Sequence, residues 1–391
     1  MVDSEGVTQQ RWRAGTAVAT AAMTASMLVL YALSALAPLF TADLGLDRAA
    51  VGLLVTATFA VAAAVSLIAG RIVDQSGPRR SLLALGVIVT VALAGASFAR
   101  DYASLLAALA VAGVAQALAN PATNLQIGRT VPAGHRGTAI GVKQAGVQLA
   151  AFGAGLVLPV LGAAVGWQAA LRWSMVLPVA LVVAVWWVVP GQPAAGGGSW
   201  WRWPRPSPWL SRLMVYSLLL GTALATVNTY LPLYAAQSLG LGPGAAGAVL
   251  AAFGVSGLVA RVGWARVADR LAEVTVALRW LSLAAAGFVV LVCLAAPLWS
   301  PLVWLGAIGI GGSATAANAV SMLAVVRRAG PTGHASALVS LGFFAGFVVG
   351  PAGFGLLADA AGYGWAWSVV AAVFVASALT ALLVRDRATV S

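Results

Sequence analysis

The chain has 391 residues, 61% of them hydrophobic and only 8% charged, against roughly a quarter charged in soluble domains. That balance excludes a soluble globular protein, because most of the exterior must face lipid, and the length accommodates about a dozen membrane-spanning helices. The net charge of +12 could suit nucleic acid, but it sits where membrane proteins keep their loop arginines, and the lone Cys293 excludes an intramolecular disulfide or a multi-cysteine metal site.

The first apolar stretch, from about Ala14 to Phe40, is too long for a signal-peptide core and is read as a retained helix. Hydropathy, Gly/Pro breaks and charge then predict helices over 49–70, 81–99, 103–127, 137–163 and 168–189. The stretch PGQPAAGGGSWWRWPRPSP (190–208) follows as the one long polar interruption. Its Trp200, Trp201 and Trp203 suit the lipid headgroup layer. Six more helices are predicted over 209–236, 244–265, 275–296, 301–326, 334–358 and 364–384. The expected fold is an all-α membrane protein of twelve helices, divided into an N-terminal bundle (1–189), a cytoplasmic linker (190–208) and a C-terminal bundle (209–391). With the N-terminus inside, eighteen arginines fall on cytoplasmic segments or helix ends, and only Arg48, Arg100 and Arg172 fall outside. The positive-inside rule therefore predicts a cell-membrane protein with both termini cytoplasmic.

The two halves echo each other in order. PLFTADLGLDRAAVG from Pro38 matches PLYAAQSLGLGPGAAG from Pro232, GRIVD (70–74) matches ARVAD (265–269), and PAGHRGTA from Pro132 matches PTGHASAL from Pro331. Three echoes in one order imply a duplicated six-helix unit, an architecture that transporters use.

GRIVDQSGPRR (70–80), between the second and third helices, resembles the GxxxDxxGxRR loop motif of the major facilitator superfamily, and ARVADR (265–270) is a degenerate second copy. The resemblance implies two six-helix bundles around a central cavity open alternately to each side, lined by the first, fourth, seventh and tenth helices. Independently of it, Asp74 beside Arg71, Arg79 and Arg80 can form a charge-assisted network that holds adjoining helices in one state. Positive-inside topology needs the arginines but no acid, and the spacing recurs at Arg266 and Asp269, with Arg270 alongside. These seven residues are read as a conformational latch. GFVVGPAGFG (346–355) and GAGLVLPVLG (153–162) are read either as close helix packing or as hinges.

Lys143, in GVKQAGVQLAA of the fifth helix, is the single lysine. It lies about two turns, roughly 9 to 10 Å, inside the helix, where a lysine costs about 2.5 to 3.5 kcal/mol at the bilayer centre. No carboxylate is predicted at that depth, leaving snorkelling or an anion-attracting cavity residue. Gln144 and Gln148 share its broad face; Gln116, Asn120 and Asn124 are spaced i, i+4, i+8 beside Thr123 on the fourth helix; Asn318 lies between Thr315 and Ser321 on the tenth. Such stripes either bind solute or tie helices together. Tyr31, Asn228 and Tyr230 are further candidates on cavity-lining helices, and Arg261, about five residues inward from Arg266, is read either as snorkelling outward, the favoured reading, or as a second cation. Across the repeat Lys143, Gln144 and Gln148 correspond to Gly342, Phe343 and Phe347, so the expected cavity is cationic on one side and aromatic on the other.

The expected function is secondary transport of a small solute, expected to be a monoanion, inorganic or a short carboxylate; RGTAIGVKQAG (136–146) is similar to members of the cyanate and nitrate-like branches of the superfamily. The alternative is a drug or metabolite exporter, supported by Phe343, Phe344 and Phe347 and opposed by the lack of a membrane-embedded acid. A membrane-embedded enzyme is disfavoured because His135, His334 and the acidic residues fall in loops or at helix ends. No GxxxxGK[ST] motif is present, so ATP-driven pumping is not expected. No cofactor or metal is expected. Without a central Asp, Glu or His, movement is expected to be facilitated diffusion, exchange, or symport through Lys143, with Asp43 as the competing proton carrier.

Overall fold

The computed structural model describes residues 2–132, 135–191, 207–268, 273–329 and 333–384, and within them the chain is helical without a strand. The helices are α1 (Val2–Leu44), α2 (Arg48–Ser97), α3 (Tyr102–Thr130), α4 (Arg136–Val165), α5 (Trp167–Ser174), α6 (Val176–Val188), α7 (Pro208–Gln237), α8 (Pro243–Ala268), α9 (Val274–Ala295), α10 (Leu302–Ala329) and α11 (Gly333–Leu383).

These elements reproduce the twelve expected crossings, with three departures from one helix per crossing. α2 carries the second and third crossings, joined at Gly77 (φ 78°), and α11 carries the last two, joined at Gly362 (φ 84°). A left-handed φ is open to glycine, and Pro78, which lacks an N–H, suits the first position of the helix that follows. The tight turn leaves no loop between the second and third crossings, so Arg71 and Asp74 stand on helix rather than in the loop the sequence suggested. α5 and α6 together form one crossing, Trp167–Val188. Most of the linker, 192–206, lies outside the described residues, as do its three tryptophans.

Helix starts follow local chemistry. Asp47 accepts the N–H of Ala50, while Asp101 and Ser104 form a reciprocal capping box at α3. The Ser104 N–H holds the exposed Asp101 carboxyl below its ordinary pKa. Large apolar side chains such as Val160, Trp187, Leu298 and Leu356 point outward, as a lipid solvent requires.

In the N-terminal half α2 packs on α3, and α1 on α3 and α4; in the C-terminal half α11 packs on α7 and α9, and α10 on α8 and α9. Between the halves the main contacts are α2 with α11, α4 with α8, and α1 with α7. Under the duplication the second and eighth crossings exchange, as do the fifth and eleventh. The first two contacts are therefore copies of each other, which parallel repeats about an axis along the membrane normal produce.

Both glycine-rich stretches serve these close approaches. A Cβ on Gly155 would lie 2.6 Å from Gly247 O, and one on Gly355 would lie 2.5 Å from Arg48 O. Within the C-terminal half, Gly346 and Gly350 press on the α7 backbone at Leu218 and Thr222 in the same way.

Candidate functional site

Lys143 is fully buried, and its side chain turns inward rather than snorkelling. Nζ donates to Thr123 Oγ1 at 2.8 Å and to Asn120 Oδ1 at 3.2 Å. Asn120 Oδ1 also accepts Gln144 Nε2 at 3.2 Å. α3 and α4 are thus joined, about two turns inside α4, through one ammonium group whose described partners are all neutral. Thr123, noted in the sequence only as standing beside the amide stripe, is the nearer of the two partners, and its hydroxyl also donates to Ala119 O at 2.6 Å.

The remaining members divide by what they touch. Gln116 donates to Ser26 O at 2.7 Å and approaches Met27 Sδ at 3.1 Å, so it ties α3 to α1. Asn124 is exposed, one turn nearer the terminus-bearing end than Asn120. Tyr31 is buried in α1, and Asn318 is half-buried on α10. Gln148, 1% exposed, makes no hydrogen bond among the described residues, and its Oε1 is unpartnered. It lies against Gly257 of α8, where a Cβ would meet Gln148 Oε1 at 2.9 Å and Thr315 Oγ1 at 3.0 Å. The fifth, eighth and tenth crossings therefore meet at this glycine.

Arg261 corrects one expectation. Its guanidinium does not snorkel: the residue is 8% exposed and Nη1 donates to Gln144 O at 3.2 Å, across the two halves. Nε has no partner. Asn228, also buried, has an unpartnered Oδ1. Phe59 of α2 stacks on Phe347 and Phe344 of α11 with centroids 4.4 and 6.0 Å apart, so the aromatic side expected from the repeat sits where the halves meet. The crevice lined by Val29, Leu33, Leu36, Leu93, Leu105 and Leu109 is apolar, lies inside the N-terminal half and offers no polar chemistry.

The halves are tightly joined at the end opposite the termini. Asp359 of α11 accepts the N–H of Ala49 at 2.8 Å and of Arg48 at 3.4 Å, and pairs with the Arg48 guanidinium at 3.6 Å. A carboxylate from one half thereby caps the positive end of a helix in the other. Arg48 also donates to Gln237 Oε1 at 3.2 Å and lies 4.4 Å over the Tyr363 ring. Tyr230 donates to Arg48 O at 2.6 Å, which places it in this closure rather than in a solute cavity. At the opposite end a Cβ on Gly70, Gly128, Gly141 or Gly263 would meet no atom within 4 Å. Asp359→Ala should weaken the closure by about 1 kcal/mol, the usual worth of a cap and a half-exposed ion pair. Faster maleimide labelling of a cysteine placed at Ala49 would report it; unchanged labelling would show that the apolar contacts suffice.

The residues read as a latch are described in part. Arg79 donates to Trp186 O at 3.0 Å and lies 4.5 Å over the Trp186 ring, so it is engaged by α6. Asp74 and Arg80 are exposed and Arg71 is half-buried. Asp269, Arg270 and the side chain of Arg266 lie outside the described residues. Asp43 accepts Trp167 Nε1 at 2.8 Å and Gln168 Nε2 at 3.4 Å, contacts within the N-terminal half. Among the described residues no three His, Cys, Asp or Glu side chains gather to hold a metal.

No curated protein matches the chain. The family model described as the Major Facilitator Superfamily matches it over residues 18–331 and again over 213–391. Those matches span the first crossing to the C-terminus, in agreement with the helix order, the repeat and the paired interfaces: the chain belongs to the major facilitator superfamily.

Proposed function

We propose that the solute moved by this secondary transporter is a small monoanion, drawn to Lys143 and held through the amides around it. The observation that carries the reading is a fully buried lysine whose described partners, Thr123, Asn120 and through it Gln144, are all neutral. A buried cation without a counter-charge is costly, and a substrate anion removes that cost during part of the cycle. The likeness of residues 136–146 to cyanate and nitrate-like members supports the same direction. Gln148, Asn318 and Tyr31 are the further contacts proposed for the solute, with Gln116 supporting the site through Ser26. Uptake of labelled formate, nitrate, cyanate and lactate into proteoliposomes tests the class. Saturable uptake of at least one supports it, and failure of all four with uptake of a neutral or cationic solute overturns it. The Phe59, Phe344 and Phe347 cluster favours a second reading, export of an amphipathic metabolite.

The arginine distribution supports a cell-membrane orientation with both termini cytoplasmic. In that orientation the tight closure at Arg48 and Asp359 is on the outer side, and the chain is closed to the outside. Asp74 and its neighbouring arginines would then act as the inner latch, engaged when that side closes in turn. This accounts for an exposed Asp74 in a state that is closed at the other end. Asp74→Asn should lower initial transport rates several-fold at unchanged surface expression, and an unchanged rate would remove the latch.

A further inference from the structure

Arg261 carries more than the contact it makes. From the end of α8 at Ala268 it is about 10 Å inward at 1.5 Å per residue, comparable with the depth of Lys143 in α4. Its guanidinium has five N–H donors, yet the described structure gives it one hydrogen bond, to Gln144 O at 3.2 Å, and leaves Nε unpartnered. That acceptor lies within α4, where helical carbonyls already accept the N–H four residues on. A shared, neutral carbonyl is a poor counterpart for a buried cation.

The surroundings point the same way. Gln144 is the residue after Lys143, so the turn of α4 that carries the buried ammonium also holds Arg261. One turn further along each helix, Gln148 faces Gly257, and the Gln148 amide is buried without a hydrogen bond among the described residues. The meeting face of α4 and α8 thus holds a buried guanidinium with a free N–H and an unused amide. The buried ammonium belongs to the neighbouring residue of the same α4 turn and is turned onto Thr123 and Asn120 of α3, so both cations at this turn have only neutral described partners.

We propose that Arg261 is a substrate contact from the C-terminal half, and that the anion is a planar oxyanion, a carboxylate or its inorganic equivalent, held between Lys143 and Arg261. This rests on the anion reading and deepens it. The Nε and Nη edge of a guanidinium presents two parallel N–H groups that match two oxygens of a planar anion, which a spherical halide cannot use. To take the anion, Arg261 gives up Gln144 O, so a direct tie between the halves becomes one that runs through the substrate. The site closes around its solute only when both halves touch it.

The test is thermal stabilisation of the purified full-length protein as sodium chloride is replaced by sodium formate, acetate or nitrate at constant ionic strength. Wild type, Arg261→Lys, Arg261→Gln and Lys143→Gln are compared. Wild type should be stabilised by at least one planar anion over chloride. Arg261→Lys keeps the charge and loses the fork, so its apparent affinity for that anion should fall tenfold or more, with Arg261→Gln at least as weak and Lys143→Gln unresponsive. A purely structural arginine would instead lower the melting temperature without anion and leave anion affinity unchanged. If both Arg261 variants respond like wild type while Lys143→Gln does not, the Arg261 assignment is overturned and the anion reading stands. If wild type shows no planar-anion response, or Lys143→Gln responds normally, the anion reading itself falls. Should Arg261→Gln fail to fold, Arg261→Lys alone decides.

Discussion

Lys143→Gln should abolish anion-dependent stabilisation and saturable anion uptake while leaving the unliganded protein as stable as before, or more so. Two effects oppose each other in the unliganded state. Removing the ammonium loses its bonds to Thr123 and Asn120, each worth about 1 kcal/mol net, more when one partner is charged. It also removes a fully buried cation without a counter-charge, a placement whose cost reaches about 2.5 to 3.5 kcal/mol at the bilayer centre. A glutamine amide in the same space can still donate to Thr123 or Asn120, so the second effect wins. Binding moves the other way, because no cation remains on α4 to offset the charge of the solute. A loss of at least tenfold in affinity, about 1.4 kcal/mol, is the minimum expected. Lys143→Arg should not restore it fully, since a larger, forked guanidinium does not fit between Thr123 and Asn120 as an ammonium does. A fall in unliganded melting temperature with full anion affinity retained would make Lys143 a helix tie and remove it from the site.

The second large effect is expected at Gly52, where α2 meets α11. A Cβ there would lie 2.2 Å from Pro351 O and 2.5 Å from the Tyr230 hydroxyl. The first is backbone and cannot step aside, so the halves must separate locally to accept any larger residue. The contact is between halves rather than within one, so Gly52→Val should leave each bundle folded and oppose only the closed arrangement. Transport should fall tenfold or more, because alternating access requires both closed states in turn. In a Cys293→Ser background, a cysteine at Ala49, which packs beside Gly355, should label faster with maleimide when Gly52 is replaced. Gly153→Val is the control: a Cβ on Gly153 meets nothing within 4 Å, so transport and labelling should stay near wild type. Normal transport by Gly52→Val would mean that this closure is not part of the cycle.

Much of this protein was legible in its sequence because the bilayer imposes a one-dimensional constraint. A spanning helix must satisfy its own backbone and present about 20 apolar residues, so hydropathy alone delimits the crossings. The duplication was readable as ordered echoes, and Lys143 stood out as the single lysine set inside an apolar helix. Which way a side chain turns is not a property of one helix. Lys143 and Arg261 both had the reach to snorkel, and only the neighbouring helices decided that each turns inward, one onto Thr123 and Asn120, the other onto Gln144 O. Gly153 and Gly155 are two residues apart in one motif, yet one faces open space and the other meets the backbone of α8. Among the residues read as a latch, Arg79 finds Trp186, a contact no local spacing encodes. Asp359 and the start of α2 are more than three hundred residues apart in the chain, and their meeting depends on how the two halves are disposed. Local sequence determined where helices run and which residues lie at depth; the packing between helices decided their partners, because those contacts join positions that share no periodicity.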